Sequence, residues 1–317
     1  MQTSASEPTR SHTLISWAAL LLIGIGWGST QVFSKIIVNA GHHPVGISIT
    51  GTAIGAVVLI VLLLARGQKL PLSRTHLIFY AICGLTGTAL PHVLGYTAMQ
   101  ELPVGVVTIV IAVVPITTYL AAMLLRMEPL HPLRMLGLIC GTIAVMLLVV
   151  PDASLPRPDQ AIWIALPVLA SLCYTIENIY ISRAQPGDID PMQTMCGLFC
   201  AGTILLIPAT LWSGEVMALG HFDLAEISLI LMTLLHVGAY GGFVWLIGRA
   251  GPVFAAQVAY VVTLTGVLLG MLIFGEQNSA WVWLSMMLMM AGLALVQPRK
   301  ENVMPAPPNP PSSRTGA

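Results

Sequence analysis

Of the chain's 317 residues, 56% are hydrophobic and 8% are charged, against roughly 25% charged in a typical soluble domain. A mean hydropathy of +0.86 leaves too little polar surface to clothe a water-soluble fold. A net charge of zero offers no electrostatic footprint for nucleic acid or for an acidic partner.

In chain order, the polar residues 1–13 read as a cytoplasmic N-terminal segment. The apolar run behind them is too long for a signal-peptide core and is expected to stay as a first span. A bilayer core needs about 20 apolar residues in a helix. That criterion predicts spans at 14–37, 44–65, 75–97, 104–125, 132–150, 161–182, 190–212, 225–248, 252–274 and 279–297. The weakest is 190–212, whose start near Met192 and Gln193 is polar. Residues 151–160 form a linker, and 298–317, with six prolines in twenty residues, read as a disordered cytoplasmic tail. The cysteines Cys83, Cys140, Cys173, Cys196 and Cys200 all fall in apolar runs and read as reduced core residues.

Basic residues orient the spans. With the N-terminus inside, eleven lysines and arginines fall at cytoplasmic segments or span ends, and only Lys35 and Arg157 fall opposite. Glu128 and Glu276 lie 148 residues apart, as do Lys35 and Arg183. The chain therefore divides into two halves of five spans. Five is odd, so the second half enters the membrane the other way up, an arrangement that sets a solute site between halves near the midplane. The expected fold is an all-α membrane protein of ten transmembrane helices in two inverted five-helix repeats, N-in and C-in.

Specific residues carry a family likeness. The first span holds Trp27-Gly28-Ser29-Thr30 and then Lys35; the fourth holds Pro115 and ends at Glu128, with a Gly-rich run from Leu136 to Leu147 behind it. The second half has Gly275-Glu276 and Met290-Ala291-Gly292. On these residues the chain resembles the EamA-like branch of the drug/metabolite transporter superfamily, with repeats at 14–150 and 161–297. It departs from that pattern at Met127, where a glycine is usual, and at Thr263, the equivalent of Pro115. It also has Thr50-Gly51 where the family places an arginine, so that arginine's role does not carry over. The resemblance implies a multi-pass plasma-membrane protein (inner membrane in a Gram-negative cell) that exports or exchanges metabolites, amino acids or drug-like compounds without a cofactor.

Polar groups inside spans are costly and mark functional candidates. Glu177 lies six residues before Arg183, about 9 Å along the helix. It suits a proton carrier or a partner for a substrate amine; the bland alternative is a protonated side chain bonded within the bundle. In the third span Gly84, Thr88, His92 and Tyr96 recur every four residues, and in the eighth His236, Tyr240 and Phe243 form a matching stripe. Adding 148 to Thr88 and His92 gives His236 and Tyr240, so the two stripes are expected to face one cavity. Trp27, Gln31 and Lys35 share a face of the first span, and Lys35 there reads as snorkelling to the interface. Gln257, Tyr260 and Thr263 follow at steps of three in the ninth.

The candidate lining is thus Trp27, Gln31, His92, Tyr96, Glu177, His236, Tyr240, Gln257 and Tyr260, from spans one, three, six, eight and nine, with span four completing the wall. Pro91, Pro115 and Pro167 are expected to interrupt helices. No G-x-S-x-G, H-E-x-x-H or C-x-x-C sequence is present, and no metal-ligand spacing surrounds the histidines. The expected partners are a small solute and the lipid bilayer, with a second copy of the chain left open. The leading reading is a secondary transporter. A membrane-embedded lipid or isoprenoid enzyme and a non-transporting sensor are the alternatives.

Overall fold

The computed structural model describes residues 10–149, 155–250, 252–255 and 257–296. The N-terminal residues 1–9, linker positions 151–154 and the Pro-rich tail 298–317 lie outside the described residues. Within them all regular structure is helical: α1 (Arg10–Asn39), α2 (Pro44–Ala65), α3 (Arg74–Gly84), α4 (Leu90–Glu101), α5 (Val104–Ile111), α6 (Val114–Leu124), α7 (Pro132–Val149), α8 (Ala165–Ala184), α9 (Pro191–Ser213), α10 (Leu224–Ala250), α11 (Pro252–Ala255), α12 (Val258–Phe274) and α13 (Ala280–Val296). Eight stretches are long and apolar enough to cross a membrane, and α12 and α13 are shorter apolar helices.

Proline and glycine decide where the long stretches deform. Pro91 cannot donate to the carbonyl four residues back, and its ring crowds that turn. The chain answers with a π-helical turn, Leu85–Ala89, between α3 and α4, closed by Leu90 N–H on the Leu85 carbonyl. Pro115 sits in the first turn of α6, just after a break at Ala112 and Val113 that separates α5 from α6. Pro167 does not interrupt a helix interior as expected. It lies in the first turn of α8, directly after the 3-10 segment Pro158–Ile164, where its missing N–H costs little. Pro208, unremarked from sequence, is the proline inside α9. The polar start of α9 is its cap: the Asp190 carboxylate accepts from Gln193 N–H at 2.8 Å, and Gln193 Oε1 accepts from Asp190 N–H at 2.8 Å.

Each half packs chiefly on the other. α2 lies on α9 and α7 on α13; α1 packs against α10 and α12, while α8 packs against α4 and α6. Exchanging the halves maps this pattern onto itself. Small residues permit the close approaches. A Cβ on Gly28 would stand 2.6 Å from Thr265 Cβ on α12, and one on Gly84 2.7 Å from the Gly202 N on α9. In the α7–α13 seam a Cβ on Gly137 would stand 2.7 Å from the Gly292 carbonyl, and Ser285 Oγ donates to the Ala144 carbonyl at 2.7 Å. These two contacts exchange under the 148-residue offset, because 137 maps to 285 and 144 to 292. By contrast Gly238 meets nothing within 4 Å, so that glycine is not a packing contact. The core centres on α5, where Val106, Val107, Ile109 and Val110 are buried. The outer surface is apolar, with Trp212 94% exposed and Leu211 80% exposed, a face that lipid rather than water would cover.

Candidate functional site

Both halves line one cavity of about 540 Å³. From the first half come α1, the π-helical turn, α4, and the break between α5 and α6; from the second come α8, α9, α10 and α12.

Trp27 on α1 is held by α10. Its indole Nε1 donates to His236 Nδ1 at 3.2 Å, and its ring meets His236 and Phe243 edge-on at centroid distances of 5.7 and 5.8 Å. Accepting at Nδ1 requires the Nε2–H tautomer of His236. His92 on α4 lies 5.7 Å from the Tyr96 ring and 6.4 Å from the His236 ring. The two stripes linked by the 148-residue offset therefore meet: Thr88, His92, His236 and Tyr240 all line the cavity.

Glu177 reaches the cavity from the middle of α8. Its carboxylate lies against Gly87 in the π-helical turn, so close that a Cβ there would stand 2.0 Å from Oε1. The widened turn that Pro91 imposes and the missing side chain at Gly87 together make the niche. Glu177 makes no hydrogen bond or ion pair with another described residue.

Of the residues singled out from sequence, Trp27, Gln31, His92, Tyr96, Glu177, His236 and Tyr240 converge on the cavity. Gln257 and Tyr260 do not. The α12 residues that do are Val258, Ala259, Val262 and Thr263, an arc of about 140° at ~100° per residue. Tyr260 and Gln257 fall outside that arc; a step of three drifts around the helix, so of that stripe only Thr263 faces inward. Lys35 does not snorkel away. Its ammonium donates to the Met99 carbonyl and to the Leu102 carbonyl at 3.1 Å, closing the C-terminal end of α4. Nor is the lining confined to the expected spans: α9 adds Met195, Leu198 and Phe199, and α2 adds Gly51. Gly87, Tyr174 and Phe199 were not anticipated. Tyr174 precedes Glu177 by three residues, and that helical spacing could have disclosed it; no local signal marks Gly87 or Phe199.

Comparison with known proteins follows the same division into halves. The signature of the EamA-like transporter family matches residues 14–150 and 161–297. The inner membrane transporter YedA of Escherichia coli (strain K12) is 28% identical over 288 residues, which cover 88% of this chain and 90% of YedA. A solved crystal structure superposes with a TM-score of 0.59 at 19% identity, over 90% of this chain and 96% of that one. That last likeness bears on fold alone.

Proposed function

The chain belongs to the EamA-like transporter family, and on that premise we propose that it is a secondary active transporter working by alternating access. The family points to a transporter rather than an enzyme. The finer reading is an exporter or exchanger of a small metabolite, amino acid or drug-like solute. The observation that carries it is the cavity of about 540 Å³ walled by both halves. A solute held there touches the surfaces that rocking of one half against the other would separate.

The same reading completes the topology. To the eight long stretches we add α12 and α13, each 17 residues and about 25 Å long at ~1.5 Å per residue, the short end of what spans a bilayer. Ten spans, five per half, make the second repeat inverted and put both termini inside, in keeping with the eleven-to-two distribution of basic residues. We assign the plasma membrane, which the inner-membrane relative YedA supports. Within the cavity, Trp27, Gln31, His92, Tyr96, Glu177, His236 and Tyr240 are the binding residues of this reading, and Glu177 is its proton carrier.

Counterflow in proteoliposomes tests the carrier. A panel of labelled metabolites at equal total concentration on both sides should include one that accumulates transiently. A cavity protein that only senses a ligand gives no such overshoot. For coupling, Glu177→Gln should flatten the pH dependence of flux, and an unchanged profile removes Glu177 from that role.

A further inference from the structure

We propose that the cavity takes an organic cation, an amine or ammonium group carried on an apolar, preferably aromatic body. This deepens the transporter reading and rests on it for the use to which binding is put.

Charge is the first observation. Among the described lining residues Glu177 is the one carboxylate, and neither lysine nor arginine accompanies it. Its carboxylate has no bonded partner among the described residues, yet the π-helical turn and Gly87 hold a place for it. An anionic solute would meet that carboxylate with no lysine or arginine beside it. His236 does not supply a positive charge, because a proton on Nδ1 would break its bond from Trp27.

The walls point the same way. Trp27, Tyr96, Tyr174, Phe199, Tyr240 and Phe243 line the cavity, and the face of an aromatic ring attracts a cation. Four of the lining threonine hydroxyls are spent as donors. Thr30 donates to the Trp27 carbonyl at 2.6 Å, Thr88 to that of Gly84 at 2.7 Å, and Thr263 to that of Ala259 at 2.8 Å. Thr108 does the same to Val104 at 2.8 Å. Each is left to the cavity as an acceptor oxygen. A volume of about 540 Å³ suits a drug-sized body.

The test is equilibrium binding to the purified full-length chain, with three probes of nearly one shape. These are 3-phenylpropyltrimethylammonium, its neutral isostere with a quaternary carbon in place of nitrogen, and 4-phenylbutyrate. The cation should bind saturably, the isostere at least tenfold more weakly (about 1.4 kcal/mol), and the carboxylate not measurably. Glu177→Gln should cost the cation at least tenfold and leave the isostere unchanged; Gly87→Ala, which displaces the carboxylate, should shift the cation in the same direction. Equal binding of isostere and cation, tighter binding of the anion, or undiminished cation affinity in Glu177→Gln would overturn the proposal. The ranking of the three probes on the unaltered protein decides the matter even if a variant fails to fold. Cation binding without proteoliposome flux counts against the carrier and for the site. Flux of neutral or anionic solutes without cation binding overturns the cation class and leaves the carrier standing.

Discussion

The turn that ends α6 and the turn that ends α12 occupy the same place in the two halves, yet their carboxylates reach different partners. After α12, Gly275 takes the left-handed conformation at φ 66° and folds the chain back. Glu276 then crosses to the other half, accepting from Val104 N–H at 2.6 Å and Gly105 N–H at 3.2 Å, and so caps α5. After α6 the corresponding glycine is Met127. There the left-handed residue is Arg126, one position earlier, at φ 56°. Glu128 is thereby aimed along its own half and pairs with Arg134 at 2.9 Å, where 44% of its side chain is exposed. One residue of register separates a joint between halves from a surface ion pair.

The largest effect should come from breaking that joint. Glu276→Ala leaves two buried N–H groups without an acceptor and should cost about 2–4 kcal/mol of stability, read as a lowered melting temperature in detergent. Lys35→Met removes the donor that closes α4 beside the same joint and should cost about 1–3 kcal/mol in the same melting experiment. On the other side, Arg126→Gly relieves a left-handed non-glycine residue and should stabilise by about 1 kcal/mol. Glu128→Gln should change stability by about 0–1 kcal/mol, the range of exposed ion pairs, and the change should fade in high salt. If Glu128→Gln proves as damaging as Glu276→Ala, the two turns are equivalent after all and the contrast fails.

The sequence disclosed what repeats locally. Apolar runs located the helices, with 44–65 matching α2 and 132–150 ending one residue beyond α7. The 148-residue offset paired the Thr88–His92 stripe with the His236–Tyr240 stripe, which do meet in the cavity. Hidden from it were features made by two distant segments at once. Gly87 matters because Glu177 lies against it, and nothing near Gly87 in sequence says so. Gln257 and Tyr260 looked equivalent to Thr263 because polarity was visible and helix phase against a neighbour was not. Lys35 looked like an interface anchor because the carbonyls it caps belong to a helix end more than sixty residues away.

The α7–α13 seam contributes no residue to the cavity, though it joins the halves through Gly137, Gly292, Ser285 and Ala144. In the proposed carrier this seam would be an axle that never touches the solute. In that proposed carrier the surface on which the halves turn and the surface that chooses the solute would lie in different helices, so a substitution in one need not alter the other.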